Sequence, residues 1–210
     1  MISIRNLSYS HPNKDILFTD LNLTISSGQK LGLIGNNGSG KSTLLRLIAG
    51  DLHPLTGTIG LEEEAYYIPQ HFGQFNGSSL AHALGIQDKI TALKNILAGE
   101  VSAENFDMLG EDWSVEDRAN AALADWHVPL ADLQLQMESL SGGQKTRAFL
   151  AGISIHDPSL ILLDEPTNHL DEEGRDALIR FIRESRKTIV VVSHDVRLLN
   201  ELDSIAELTS

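Results

Sequence analysis

Apolar and polar positions alternate in short runs along the first forty residues. Residues 2 to 9 (Ile-Ser-Ile-Arg-Asn-Leu-Ser-Tyr) start in period two and then break phase, which predicts an edge strand carrying a bulge, ended by Tyr9. After the turn-prone His11-Pro12-Asn13-Lys14-Asp15, Leu21 to Ile25 alternate cleanly, and Ser26-Ser27-Gly28-Gln29 turns the chain into the apolar run Leu31-Gly32-Leu33-Ile34. A helix is predicted from Lys41 to Ala49-Gly50, then short strands at 57–60 and 65–69, with Gln70 just past the second. From His71 to Met137 the apolar period becomes helical, as in Leu80 to Leu84 and Ile90 to Leu97, which predicts an inserted helical lobe. Within it, Ser114 with Asp117 three residues on predicts a capped helix through Ala124, and Trp113 and Trp126 are expected as packing anchors.

Sheet character then returns. A helix Lys145 to Ile155 follows Leu140-Ser141-Gly142-Gly143-Gln144, and the aliphatic run Leu160 to Leu163 reads as a buried parallel strand ending in Asp164-Glu165-Pro166. A helix Glu173 to Glu184, a strand Thr188 to Val192, the triplet Ser193-His194-Asp195 and a helix through Leu202 complete the alternation, as in a sheet wound with parallel crossovers. The fold class expected is α/β: one domain with a sheet-based lobe (1–70 and 145–210) and a helical lobe (71–144).

Composition narrows the functions such a fold could serve. The chain has 210 residues, enough for one sizeable core and short for two. Its 16 basic and 29 acidic residues leave a formal net charge of −13, which opposes any broad grip on nucleic acid, so an RNA contact would have to be local. With no cysteine, thiol chemistry and disulfides are excluded. No apolar run approaches the roughly 18 residues of a membrane span, and the start reads as a strand rather than a signal peptide, so a soluble cytoplasmic protein is expected. The stretch Gly99 to Asp117 holds seven acids and no Lys or Arg; as a solvated face, partly explained by helix-dipole chemistry, it needs no partner.

The chemistry centres on Gly35-Asn36-Asn37-Gly38-Ser39-Gly40-Lys41-Ser42-Thr43, between a strand and a helix. Glycines at this spacing let successive N–H groups turn inward on an anion, and the helix start adds partial positive charge: a phosphate-binding loop for a nucleoside triphosphate. Lys41 is expected to reach the β and γ phosphates and Ser42 to place its hydroxyl on Mg²⁺. Asp164 closes an aliphatic strand where open α/β sheets bind ligands, which suits a Mg²⁺ partner, and Glu165 can turn past the strand end to orient or deprotonate a water. Ser141-Gly142-Gly143-Gln144 makes a second anion-binding turn that lacks a lysine or a metal ligand.

The loop Gly35 to Thr43, Gln70 after a strand, Leu140 to Gln144, Leu160 to Glu165 and His194 after a strand are five motifs in the order of an ATP-binding cassette (ABC) ATPase domain, which the chain resembles over nearly its whole length. The resemblance implies a P-loop domain with an antiparallel β subdomain, a RecA-like core and a helical subdomain, using ATP and Mg²⁺. It implies that Tyr9 stacks on adenine, Gln70 senses Mg²⁺ and water, Glu165 is the catalytic base, His194 contacts the γ-phosphate, and Asp171 joins the nucleotide-binding set. It further implies head-to-tail pairing, in which Ser141 to Gln144 closes over ATP held by a second cassette, in the same longer chain or in a homodimer. The wording Pro166-Thr167-Asn168-His169-Leu170-Asp171 and the run Glu111 to Arg118 resemble the ABC-F subfamily, soluble ATPases that act on ribosomes. ABC-F chains join two cassettes by a basic helical linker absent here, so an excised amino-terminal cassette is expected, reaching ribosomes or RNA through other parts. A nucleotide-binding subunit serving a separate membrane permease, and an ATP-gated assembly module with little hydrolysis, are the alternatives.

Overall fold

Strand β1 (Ile2–Ser10) buries Ile2 and Ile4, skips a residue, then buries Leu7 and Tyr9, so its apolar face survives the change of phase. The skip is a bulge: pairing with β2 (Ile16–Ile25) shifts between Ile4 and Leu7, where Asn6 takes a φ of 48°. The expectation of an edge strand fails. In the computed structural model, which describes residues 1–12, 16–128 and 132–209, β1 is the middle strand of an antiparallel sheet ordered β2-β1-β4, with β4 at Thr56–Leu61. The strand returning after the first helix supplies the second neighbour, which the local pattern of residues 2–9 does not encode. β2 also begins five residues earlier than its clean alternation, and residues 13–15 of the predicted turn lie outside the described residues.

The second sheet is parallel and ordered β5-β6-β7-β3-β8, from Ala65–Ile68, Leu160–Asp164, Thr188–Val192, Lys30–Ile34 and Ser204–Glu207. Every residue of β6 and β7 is buried, which is why both read as continuous aliphatic runs. Helix α1 (Lys41–Ala49) buries Leu44, Leu45, Leu47 and Ile48 against this core and stops at Gly50 in the left-handed conformation. The last predicted helix is shorter than expected. It covers only Val196–Leu199, capped by the Asp195 carboxylate, and the chain then forms β8 beside β3. Four residues with an exposed Ile205 give no strand period to read; the pairing with β3 makes the strand.

The described chain divides into two units, residues 1–70, 158–168 and 175–210, and residues 71–157 and 169–174. The second contains α2 (Leu80–Ala83), α3 (Gln87–Leu97), α4 (Ala103–Leu109), α5 (Val115–Asp125) and α6 (Gly142–His156). It runs past the expected limit at 144, because α6 buries Ala148, Phe149, Leu150 and Ala151 among these helices, with Phe149 stacked on Phe72 at a centroid distance of 5.0 Å. Helix α6 begins at Gly142, since Ser141 and Gln144 form a reciprocal capping box. Residues 172–174 open α7 (Glu172–Glu184), whose Leu178, Ile179 and Ile182 recur at helical spacing on its buried stripe.

Two readings of the helical lobe need correction. Ser114 precedes α5 but its side chain makes no capping bond, the residue having a ψ of 14° rather than the extended value a cap requires. Trp113 is 50% exposed and meets Phe106 at a centroid distance of 6.1 Å, so it does not anchor a core; Trp126 is half-buried.

The acidic stretch recruits cations from outside itself. Asp112 Oδ2 accepts from Arg118 Nη2 at 2.9 Å and from Lys89 Nζ at 3.0 Å, and these bonds hold its carboxyl below the ordinary carboxylate value. A depressed pKa contributes stability above the unfolded value that is lost as pH falls through the folded one. Asp112→Asn is therefore expected to lower stability at pH 7 by about 1–3 kcal/mol. Urea unfolding of both proteins should show the difference shrinking as pH falls below the usual aspartate value.

Candidate functional site

Loop 35–40 carries the chain from β3 into α1. Gly40 has a φ of 95°, and a Cβ there would lie 2.5 Å from Phe18 Cζ and 2.8 Å from Leu17 Cδ2, so only glycine fits. Helix α1 has no side-chain cap and no acidic residue in its first turn, which leaves its positive end to an anion from outside. Lys41 is 8% exposed, and its ammonium donates to the carbonyls of Gly35 at 2.8 Å and Asn36 at 2.9 Å. The charge is thus stored on the loop's own acceptors, ready to exchange them for phosphate oxygens. Ser39 is buried with its hydroxyl unpartnered.

A cleft of about 1260 Å³ opens over this loop. Asn37, Gly38, Gly40, Lys41, Ser42 and Thr43 form its floor, and Gln70, Glu165, Asn168 and His194 reach it from the carboxyl ends of other strands. The parallel register explains the convergence, since β3, β5, β6 and β7 all end at this side of their sheet.

Ser42 Oγ donates to Asp164 Oδ1 at 3.0 Å, joining the loop to the end of β6. Asp164 is 2% exposed, and its other oxygen accepts from the Tyr67 hydroxyl at 3.2 Å. Burial first, then the neighbouring Asp164 charge, pushes the Tyr67 phenol well above its usual range, so it remains a donor. Tyr67 was not legible in the sequence: only its strand's place beside β6 brings it to Asp164. Hydroxyl and carboxylate oxygens, with the Gln70 amide nearby, are the hard donors that Mg²⁺ takes alongside phosphate and water. Among the described residues no cluster of three or more His, Asp or Glu could hold a metal on its own.

Glu165 sits in the left-handed region, φ 48°, with its N–H donating to the Val192 carbonyl at 2.8 Å. A non-glycine residue held there stores strain of about 1–3 kcal/mol. The turn aims the side chain into the cleft, where it is 10% exposed and lies 3.3 Å from His194 Nε2. Burial raises its pKa, opposed by the charge and backbone N–H of His194 and by Lys41. A more basic carboxylate is a better proton acceptor.

Not every expected residue arrives. Tyr9 is 6% exposed and belongs to the hydrophobic core. From that strand end it is His11 that lines the cleft, its ring edge-on to Tyr9 at 5.2 Å and its Nε2 3.4 Å from Thr43 Oγ1. His11 lies one residue past the end of β1, whereas Tyr9 lies within the strand and packs into the core. Ile16 and Leu17 complete this apolar end. Ser141 to Gln144, expected to serve a second cassette rather than this cleft, lie with Asp171 in the unit of residues 71–157 and 169–174.

Fold and cleft define a phosphate-loop α/β domain built for a nucleoside triphosphate. Residues 18–168 match the ABC transporter family model. The chain belongs to that family, whose cassettes are ATPases. It is 32% identical over 205 residues to ABC transporter F family member 4 of Arabidopsis thaliana, covering 96% of this chain and 26% of the relative. It is 34% identical over 201 residues to Ribosome protection protein VmlR of Bacillus subtilis, covering 96% and 30%. The chain spans between 26% and 43% of the length of the curated relatives it matches. In fold it is similar to the dimeric post-hydrolysis structure of the cassette MJ0796 bound to ADP and Pi, with a TM-score of 0.74 and 23% identity over 100% of this chain and 94% of that one. No helix among the described residues is long and apolar enough to cross a membrane.

Lys41→Ala is expected to weaken binding of inorganic triphosphate roughly 10- to 100-fold, the worth of about 1.5–3 kcal/mol for a charge-assisted contact. Calorimetry on the folded variant checks it, and unchanged affinity would remove the lysine from the site.

Proposed function

We propose that the chain is an ATP-binding and ATP-hydrolysing cassette that pairs head-to-tail with a second cassette around two ATPs, as part of an ABC-F type ribosome-associated protein. The observation that carries the ATPase reading is the convergence of Lys41, the Ser42–Asp164 pair and the Glu165–His194 pair on one cleft. His11 with Ile16 and Leu17 takes the base, in place of Tyr9. The loop amides and Lys41 take the β and γ phosphates. Ser42, Asp164 and Gln70 would hold Mg²⁺, which when bound neutralises phosphate charge and polarises the γ-phosphoryl group. Glu165 takes a proton from a water as its oxygen bonds to the γ-phosphorus and the bond to the ADP oxygen breaks. His194 steadies that carboxylate from 3.3 Å.

Pairing is supported by the turn Ser141 to Gln144, an anion site without a lysine, and by the dimeric cassette the fold resembles. The ABC-F reading is supported by the segment Pro166 to Asp171 and by relatives named for that family and for ribosome protection. Relatives two to four times longer support a first cassette within a longer protein.

Glu165→Gln is expected to reduce turnover by about 10²- to 10⁴-fold while keeping ATP bound, since it removes the proton acceptor and preserves shape. In the full-length protein, that substitution should make sedimentation with ribosomes ATP-dependent and persistent. No enrichment with ribosomes would count against the ABC-F role, and turnover surviving in Glu165→Gln would count against the assigned base.

A further inference from the structure

Helix α6 carries a charge for which the nucleotide cleft has no use. Arg147 is 9% exposed, its Nη2 donating to Asp171 Oδ1 at 2.5 Å and its Nη1 to the Trp126 carbonyl at 3.3 Å. The same Asp171 oxygen accepts from the Gly174 N–H at 2.9 Å, so one carboxylate oxygen both opens α7 and pairs the guanidinium. Four residues earlier, on the same face of α6, stands Gly143. A Cβ there would lie 2.6 Å from the His169 carbonyl oxygen, and one on Gly142 would lie 3.2 Å from the His169 ring. Segment 169–174 is thus strapped along the first two turns of α6, with His169 over the paired glycines at one end and Asp171 on Arg147 at the other. All of these residues lie within one unit.

The capping box already engages the Ser141 hydroxyl and the Gln144 side chain with each other's backbone. The N–H groups of Gly142 and Gly143 have no acceptor within the helix and remain available to an anion. What they can grip depends on the turn being held still, because donors that must reorganise lose their advantage at a charged ligand. Buried, and paired through two planar nitrogens, Arg147 is suited to that holding in a way a flexible lysine is not.

We propose that Arg147 is a positioning residue: by fixing Asp171 it seats His169 against Gly142 and Gly143, and so preorganises this turn for the terminal phosphate of a nucleotide bound by a second cassette. This rests on the pairing proposed above. Asp171 then serves the anion turn of its own chain through Arg147, in addition to starting α7.

The test uses Arg147→Met, Asp171→Ala and Arg147→Lys in the 210-residue chain. Asp171→Ala breaks the strap from its exposed side and covers the case in which Arg147→Met fails to fold. Amide hydrogen exchange of the unpaired chain should speed at least tenfold at Gln144, Lys145 and Gly174 in Arg147→Met and Asp171→Ala, while Mg-ATP affinity changes less than twofold in Arg147→Met and Arg147→Lys. In a Glu165→Gln background, ATP-driven pairing by sedimentation should weaken at least tenfold, with part recovered by Arg147→Lys. Unchanged exchange, or ATP affinity falling in step with pairing, would overturn the proposal. Should the Glu165→Gln parent itself not pair, the pairing reading fails, and the exchange result alone decides whether Arg147 holds the turn.

Discussion

The structure turns on one buried ammonium. Lys41 sits at the first position of α1, almost out of solvent, on two carbonyls of the loop that precedes it. A buried charge is tolerated only when its hydrogen bonds are made, so the loop must bend its carbonyls inward to keep it. The left-handed glycines allow that bend, and the same bend leaves backbone N–H groups facing the cleft. Core, sheet and helix act together here: β3 delivers the loop, α1 fixes the lysine by burying the residues that follow it, and the parallel strands β6 and β7 bring Glu165 and His194 to the same rim, with Asp164 bonded to Ser42 behind it.

Around that charge the carboxylates divide by environment. Asp164 is held by two hydroxyl donors at the end of a fully buried strand, which suits a fixed ligand. Glu165, one residue on, is thrown into a strained turn, and burial makes it more basic. Adjacent residues of the same chemistry thus acquire different hydrogen bonding and basicity from backbone direction and solvation. His194, 60% exposed, lines the same cleft with its Nε2 3.3 Å from Glu165.

Much of this was legible because the motifs are local. A glycine-lysine loop between an apolar strand and a helix, or two acids after four aliphatics, carries its meaning in a few consecutive residues, and the structure keeps Lys41, Ser42, Glu165, Gln70 and His194 around one cleft, with Asp164 bonded to Ser42. What depended on distant pairing was not legible. The central place of β1 and the existence of β8 come from partners far along the chain. Tyr9 packs into the core within β1, and His11, just past the strand's end, is the residue that lines the cleft. Tyr67 reaches Asp164 only through the β5–β6 register, and Arg147 is tied to Asp171 by a contact across 24 positions. Trp113 stays exposed because its neighbours on α4 and α5 turn other faces inward.

The central claim is that main-chain amides of the loop and one lysine grip the phosphates. Amide shifts of the isotopically labelled chain, followed by NMR as Mg-ATP is added, test it most directly. The account predicts saturable shifts that are largest at Gly38, Gly40, Lys41 and Ser42. Saturable binding that leaves those four signals in place, with the large shifts elsewhere, would contradict it.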